Sequence, residues 1–247
     1  MDPVCFYVGS RPVYWYGIMV ALGFLAGAAH LTILGVREGR SPGFGSDLAF
    51  WLMLSGIVGA RLAYVTANIH VYLQNPWNII RIDQGGLIYY GGFIGAFLAG
   101  VVFARIKHLN ILALADYAVP ALPLGHAFGR IGCFLNGCCH GKAASLPWSV
   151  FQHDAHRHPV QLYEAALNLL IYGLLLLAYR RRKKNGEVLA IYCMTYSLGR
   201  FLLEFLRGDE RLCWLGTPVA QLVSLALFAA GLALWIALAR KPSRPGR

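Results

Sequence analysis

The sequence has little charge, and acidic residues are the scarcest charged type. Charged residues make up 13% of the chain, with 11 acidic residues against 22 basic ones. Soluble domains carry about 25% charged residues. Hydrophobic residues reach 57% of this chain. The shortage of charge therefore excludes an ordinary soluble globular domain and predicts an all-α polytopic membrane protein.

The shortage of acidic residues leaves a formal net charge of +11. In a soluble protein this excess would indicate nucleic acid as a partner. Here the basic residues lie between long apolar runs, where Lys and Arg set membrane topology. We therefore expect no nucleic acid partner and interpret the basic residues as topology signals.

Seven apolar stretches are each long enough for a helix of about 20 residues that crosses a bilayer. The fourth stretch is interrupted by Asp116, Pro120 and Pro123. Residues 1–11 lack the pattern of a cleavable signal peptide, so we expect the first span to act as its own insertion signal. We treat 1–247 as a single transmembrane domain, with predicted spans near 14–34, 48–65, 87–104, 111–128, 162–179, 188–205 and 219–239.

Loop Lys and Arg residues predict the orientation of the chain. One set of alternating connections is rich in basic residues, and the other set holds fewer. This asymmetry places the N-terminus outside and the C-terminus in the cytoplasm, and residues 133–160 then form an outward-facing cap. The basic-rich set comprises Arg37, Arg40, Arg105, Lys107, the run 180–184, Arg240, Lys241, Arg244 and Arg247.

With this orientation, most polar groups inside the spans fall in one layer near the outer leaflet. The layer has more arginines than carboxylates, and bidentate arginine suits phosphate. We therefore predict a phospholipid-binding site there, with purely structural ion pairs such as Arg200 with Glu204 as the alternative. The polar groups of this layer are Tyr16, Arg61, Tyr89, Tyr90, Arg130, Glu164, Arg200, Glu204 and Arg207.

A glycine-rich stretch from Gly129 to Gly141 carries Arg130 and Asn136. Its pattern resembles the signature of the bacterial phosphatidylglycerol–prolipoprotein diacylglyceryl transferases. Five other segments agree with that family in order and spacing, so the resemblance covers most of the chain. They are 14–17 (YWYG), 59–64 (GARLAY), 90–95 (YGGFIG), 158–164 (HPVQLYE) and 200–207 (RFLLEFLR).

The resemblance implies transfer of a diacylglyceryl group from phosphatidylglycerol to the lipobox cysteine of a prolipoprotein, in a bacterial inner membrane and without a metal or soluble cofactor. Membrane lipids would be further partners. Arg130 and Arg200 would stabilise the leaving phosphate, and Glu204 would hold Arg200 in place. The residues that would bind substrate are Tyr16, Arg61, Asn136, Gly141, Gln161, Glu164 and Arg207.

The first departure from the family pattern concerns the third span. The family usually has a histidine, a candidate base, where this chain has Tyr90. A free thiol titrates near pH ~8.5 and a phenol near ~10, so neutral tyrosine is a poor base. Tyr90 could instead bind phosphate. His140 or His126 would then take the proton, or the arginines would lower the pKa of the substrate thiol.

The second departure is a group of cysteines. Cys133 and Cys138 replace the Asn and Glu of the usual signature, and Cys139 with His140 is an addition. The pattern could bind zinc, although its spacing differs from the common zinc motifs. A disulfide or packed thiols are the interpretations that we favour at this stage.

Three rival functions remain open on the sequence. A paralogue could transfer a lipid group to a different acceptor, and a non-catalytic protein could bind phospholipid without turnover. A transporter is less consistent with the sequence, because the buried charges form one layer and no inverted repeat is apparent.

Overall fold

The computed structural model describes residues 3–81, 85–214 and 216–240, and most of them are helical. Three short antiparallel ribbons pair β1 (Val4–Val8) with β2 (Arg11–Tyr14), β3 (Val150–Gln152) with β4 (Ala155–Arg157), and β5 (Cys213–Trp214) with β6 (Thr217–Pro218). A 3₁₀ helix covers Pro76–Ile80. The α-helices are α1 (Trp15–Arg37), α2 (Phe44–Ala67), α3 (Ile69–Gln74), α4 (Tyr89–Ile106), α5 (Ile111–Ala118), α6 (Ala121–Leu135), α7 (Val160–Arg181), α8 (Glu187–Glu204) and α9 (Val219–Ala239).

Within the described residues, 6 helical segments are long and apolar enough to cross a membrane. They are α1, α2, α4, the α5–α6 segment Ile111–Leu135, α7 and α9. A helix bonds its own backbone groups, which is what a segment in lipid requires. The prediction of a polytopic all-α membrane protein is therefore confirmed.

The predicted sixth span, 188–205, forms α8, which is not among those 6 segments. Its apolar character is reduced by Glu187, Arg200 and Glu204, which all lie within its 18 residues. A total of seven spans therefore stays a prediction. Part of the orientation signal, namely Lys241, Arg244 and Arg247, lies outside the described residues.

The chain forms two compact units. One contains Met1–Gly27 and Ala115–Arg247, and the other contains Ala28–Leu114. In the smaller unit, α2 packs against α4 through glycines. A Cβ atom on Gly59 would lie 3.0 Å from the Cα of Gly95, so only glycine allows the two helix backbones to approach this closely. The description of 1–247 as a single domain stays a prediction.

In the larger unit, α6 packs on α7, α7 on α8, and α8 on α9. The fully buried Asp116 contributes to the position of α8, because its carboxylate accepts hydrogen bonds from the backbone N–H groups of Gly186 (2.7 Å) and Leu189 (2.9 Å). These donors are among the unpaired groups at a helix start, and a carboxylate satisfies them. Asp116 therefore has a structural role at the end of α8 opposite Arg200 and Glu204.

The predicted cap, 133–160, begins in the last residues of α6 and ends at the first residue of α7, and between these helices it is irregular apart from the β3–β4 hairpin. His153 and Asp154 form its two-residue turn with φ angles of 49° and 59°. Such positive φ values match the right-handed twist of the flanking strands. Bridges join Gly141 to Arg207 and Ala143 to Arg157, so the segment is tied to the residues after α8. Its outward-facing position stays a prediction.

Candidate functional site

The charged side chains of α6, α7 and α8 meet around Glu164, in the first turns of α7. This carboxylate has a side chain only 1% exposed. Its Oε1 lies 3.0 Å from Nη2 of Arg130, and its Oε2 lies 3.8 Å from Nη1 of Arg207. A buried carboxylate needs such partners to offset its lost hydration. Glu164 thus joins an arginine of α6 to one that follows α8.

The contacts continue beyond Arg207 as alternating charges. Arg207 donates from Nε and Nη2 to the two carboxylate oxygens of Asp209, both at 3.1 Å. Nη2 of Arg211 lies 3.1 Å from Oδ2 of Asp209, and Nε of Arg211 lies 3.8 Å from Oε1 of Glu204. Glu204 also accepts a hydrogen bond from Nη1 of Arg200, four residues earlier on α8.

We call this set the arginine–carboxylate chain, and it runs Arg130, Glu164, Arg207, Asp209, Arg211, Glu204, Arg200. It holds one more arginine than carboxylates. A net positive charge in partly buried surroundings favours binding of an anion. Guanidinium groups match the oxygens of phosphate in particular.

The members of the chain differ in accessibility. The Arg207 side chain is 2% exposed, whereas those of Arg130 and Arg200 are 16% and 10% exposed. Within the part of the chain that the structure describes, Arg200 donates a hydrogen bond to Glu204 through Nη1. A guanidinium has five N–H donors, so Arg200 has donors left for a ligand. Arg211 is the most exposed member at 29%, but it lies beyond α8 and contacts two carboxylates, Asp209 and Glu204. Arg130 and Arg200 are partly accessible and lie on helices, so we expect these two to contact a phosphate.

His126 lies one helical turn before Arg130 on α6. Nε of Arg130 donates to Nε2 of His126 at 3.1 Å, and the same Nε2 lies 3.6 Å from Glu164. Since Nε2 accepts a hydrogen bond from an arginine N–H, it carries a lone pair, and His126 is neutral in this arrangement. The lone pair that a base would use is thus already bonded to Arg130.

Gln161 and Asn136, both predicted to bind substrate, bond instead to the cysteine segment. The buried Nε2 of Gln161 donates to the carbonyl of Cys138 at 2.7 Å. The Asn136 side chain hydrogen-bonds the Cys138 thiol. Both residues therefore position the segment, and their role in substrate binding stays a prediction.

Gly141 sits where the cysteine segment meets the residues after α8. It forms a bridge with Arg207, while the N–H of Gly208 donates to the carbonyl of His140 at 3.1 Å. A Cβ atom on Gly141 would lie 2.7 Å from the Cβ of His158. This close approach explains the glycine and places Gly141 directly beside the arginine–carboxylate chain.

Two other predicted residues lie near this region. Tyr16, half-exposed at the start of α1, packs on Gly132 and interacts electrostatically with Cys133 and Arg130. His140 packs on His153, with ring centroids 4.4 Å apart. The structure thus brings Tyr16 to the arginines and cysteines, and places His140 against the cap hairpin.

The thiols of Cys133, Cys138 and Cys139 converge at the end of α6. Their Sγ atoms all lie within 4.8 Å of one another, and all are free thiols. Hydrogen bonds from the Cys133 and Cys138 thiols, together with the Arg207 guanidinium, hold the pKa of Cys139 below its usual range. The thiols therefore adjoin the arginine–carboxylate chain.

Arg61, in the smaller unit, has a different environment. Its Nε donates to the carbonyl of Ile79 and its Nη1 to that of Gly85, both at 2.8 Å. Further bonds go to the carbonyls of Asn78 and Gly86. A Cβ atom on Gly86 would lie 2.8 Å from Nη1 of Arg61, so glycine is required there. Arg61 thus anchors the segment before α4.

Tyr90 also belongs to the smaller unit, in the first turn of α4. Its side chain is 59% exposed, and its ring contacts that of Tyr89 at 5.8 Å. An exposed tyrosine at a helix start is accessible to a ligand, and no hydrogen bond that would activate it as a base is found among residues 85–214. Its catalytic role stays a prediction.

The sequence predicted most members of the arginine–carboxylate chain but did not indicate Asp209 and Arg211. Both lie beyond α8, where a charged residue is ordinarily solvated. The signal was the alternation of Arg207, Asp209 and Arg211, which places opposite charges two residues apart in an extended segment.

Comparison with known proteins agrees with the resemblance seen in the motifs. Residues 3–237 match the family model described as prolipoprotein diacylglyceryl transferase. The relatives include proteins named phosphatidylglycerol–prolipoprotein diacylglyceryl transferase. The one from Clostridioides difficile is 36% identical over 246 residues, which cover 98% of this chain and 97% of the relative. The one from Geobacter sulfurreducens is 36% identical over 255 residues, covering 99% and 98%.

Proposed function

Since the chain belongs to the prolipoprotein diacylglyceryl transferase family, we propose that it transfers the sn-1,2-diacylglyceryl group of phosphatidylglycerol to the lipobox cysteine of a prolipoprotein. The products are a thioether and glycerol 1-phosphate. The sulfur of the acceptor cysteine forms a bond to the sn-3 carbon of the lipid glycerol, and the bond from that carbon to the phosphate oxygen breaks. The phosphate leaves with both electrons of that bond.

The observation that carries this proposal is the excess positive charge of the arginine–carboxylate chain. Arg130 on α6 and Arg200 on α8 are partly accessible guanidinium groups, and each is held by a carboxylate, Glu164 or Glu204. A leaving phosphate gains negative charge as its ester bond breaks, and preorganised donors stabilise that charge. We assign the leaving phosphate to these two arginines.

The remaining predicted residues fall into two groups in this proposal. Arg207 and Glu164 are nearly sealed from solvent and position the accessible arginines. Tyr16 is exposed beside the arginines and can contact the lipid head group, and a head-group role for Tyr90 stays a prediction. The ring of His140 packs against the ring of His153, and we assign no proton transfer to His140.

The proposal includes the orientation of the chain in a bacterial inner membrane. An outside N-terminus with a cytoplasmic C-terminus requires an odd number of spans, so α8 must cross together with the 6 apolar segments. The charges of α8 are suited to this, because Arg200 and Glu204 bond to each other. Paired charges lower the cost of placing a helix in lipid. Reporter fusions after 184 and after 209 should report opposite sides of the membrane.

The experiment is an in vitro turnover assay. Purified protein in detergent is incubated with phosphatidylglycerol and a lipobox peptide, and peptide mass and glycerol phosphate are both measured. The proposal predicts a mass gain of one diacylglyceryl group that requires the peptide cysteine. Arg180→Ala, at the exposed far end of α7, is the matched arginine control and should keep full activity.

Two other results would contradict the proposal. Lipid bound without a mass gain would indicate a non-catalytic phospholipid-binding protein. Consumption of phosphatidylglycerol with a different acceptor, and no modified peptide, would indicate a paralogue of altered acceptor range.

A further inference from the structure

The thiols of Cys133, Cys138 and Cys139 form a cluster that the proposed roles do not use. Their three sulfur atoms lie within 4.8 Å of one another at the end of α6. Zn–S bonds of about 2.3 Å in a tetrahedron place sulfurs roughly 3.8 Å apart. Small side-chain rotations would therefore bring all three sulfurs onto one ion.

The backbone holds these cysteines in place before any ligand arrives. The N–H of Cys138 donates to the carbonyl of Cys133 at 3.1 Å, and Gln161 donates to the carbonyl of Cys138 at 2.7 Å. Cys139 has a φ of 61°, a conformation that non-glycine residues seldom adopt. The cluster is thus held by a hydrogen bond within its own backbone and by one from Gln161.

A disulfide explains this arrangement less well than a metal does. A disulfide joins only two sulfurs, at about 2.05 Å, and does not explain why a third cysteine lies beside them. All three are free thiols here, and one metal ion can take all three as ligands.

The fourth coordination position is not taken by the neighbouring histidine. Nδ1 of His140 lies 3.3 Å from the carbonyl of Gly141, and the His140 ring packs on His153. Structural zinc sites have four protein ligands, whereas catalytic sites keep one position open for a water or substrate. Within the part of the chain that the structure describes, the ligand group consists of these three cysteines, and three ligands with an open position follow the catalytic pattern.

We propose that Cys133, Cys138 and Cys139 bind a zinc ion whose open position takes the thiolate of the acceptor cysteine. This inference rests on the proposed function. Zinc deprotonates a coordinated thiol outright, so the proton goes to solvent and no protein base is needed. This connects the two departures of the sequence, in which Tyr90 replaces a candidate base and cysteines are added.

The location of the cluster suits the reaction. It adjoins Arg207, and electrostatic contacts link Cys133 and Cys139 to Arg130. The zinc-bound thiolate would attack the sn-3 carbon of the lipid glycerol, while the arginines receive the departing phosphate. The thioether that forms is a weak ligand and dissociates from zinc, which restores the open position.

The test measures metal binding apart from turnover. Purified, reduced, metal-free protein is titrated with Zn²⁺, and with Co²⁺ as the spectroscopic probe. The proposal predicts one equivalent of bound metal, sulfur ligation in X-ray absorption, and at least a tenfold weaker Kd in Cys133→Ser and Cys139→Ser. Cys213→Ser, an exposed cysteine outside the cluster, is the control and should bind normally.

Addition of a lipobox peptide should add one sulfur ligand to the Co²⁺ spectrum, and a peptide with serine in place of the cysteine should not. Absence of stoichiometric binding, or a disulfide among these cysteines in the purified protein, would overturn the site. Because the spectra use the unmodified protein, this result does not depend on the folding of the variants.

Turnover is followed in parallel to separate the two claims. Full transfer activity in protein shown to be metal-free would overturn the zinc role and leave the proposed function intact. Bound metal with added peptide sulfur but no transfer would support the site and contradict the proposed function.

Discussion

Two buried arginine environments in this protein carry the same positive charge but present it in different ways. Arg61 in the smaller unit bonds four backbone carbonyls and lies near the rings of Tyr64 and Tyr72. Arg200 in the larger unit bonds one carboxylate through one nitrogen. The sequence grouped both as phosphate ligands. The free N–H donors, and not the burial of the charge, distinguish a group that can bind phosphate from one that holds a segment in place.

The comparison assigns different functions to the two environments. The carbonyls that Arg61 bonds belong to Asn78, Ile79, Gly85 and Gly86, so its loss should release the residues that lead into α4 and Tyr90. The arginine–carboxylate chain joins helix ends, and its loss should remove charge from the candidate phosphate site. We interpret Arg61 as a positioning residue and the arginine–carboxylate chain as the phosphate site.

The largest effect is expected from Glu164→Ala. This substitution leaves Arg130 and Arg207 without their shared carboxylate in a nearly sealed position. Loss of one partner from a buried ionic group costs about 3–5 kcal/mol. Thermal unfolding in detergent should show a strong decrease in stability, with Glu38→Ala, an exposed ion pair, as the control. Unchanged unfolding would mean that Glu164 does not organise the chain.

Arg200→Ala should affect activity more than folding. Loss of one preorganised donor to a developing oxyanion costs about 10²–10³-fold in kcat. Transfer per folded molecule should fall by about that factor. The unfolding temperature should fall as well, because the buried carboxylate of Glu204 loses its partner. Arg130→Ala should behave in the same way. Full activity in either variant would remove it from the site.

Arg61→Lys tests the other environment. A lysine keeps the charge but loses the planar fork that reaches several carbonyls at once. Each lost hydrogen bond from a charged group costs about 1.5–3 kcal/mol. We expect lower stability and a raised KM for the lipid, with kcat reduced less than in Arg200→Lys. An equal fall of kcat in Arg61→Lys and Arg200→Lys would contradict the different functions assigned to the two arginines.

Tyr90→Phe should have the smallest effect. Its exposed hydroxyl has no activating partner among the described residues, so removal should change kcat less than about threefold if it only contacts the head group. A loss of more than a hundredfold, with unchanged unfolding, would instead place Tyr90 in proton transfer.

The helices could be predicted from the sequence because lipid leaves the backbone few choices. Apolar runs of sufficient length must form helices, and the runs at 14–34, 48–65 and 219–239 correspond to α1, α2 and α9. The run at 188–205 is a helix as well, but its charged residues leave its membrane crossing a prediction. Length and composition therefore predict the helix more firmly than the span.

The site was predictable to the extent that helix geometry determines it. Arg200 and Glu204 are four apart on one helix, so their contact follows from spacing. The partners of Arg61 lie in a short 3₁₀ helix and in the residues just before α4, where no helical spacing relates them to Arg61. The roles of Gln161 and Asn136 depend on where the cysteine segment folds back. Such contacts arise only from the tertiary structure.

The central claim is that the arginine–carboxylate chain binds the phosphate and that Arg61 does not. Binding of glycerol 1-phosphate, the proposed product, tests it most directly through its Kd in the unmodified protein, Arg200→Ala and Arg61→Lys. We expect Arg200→Ala to lose binding of glycerol 1-phosphate, and a folded Arg61→Lys protein to keep a Kd within about threefold of the unmodified protein. Retained binding in Arg200→Ala together with lost binding in Arg61→Lys would contradict it.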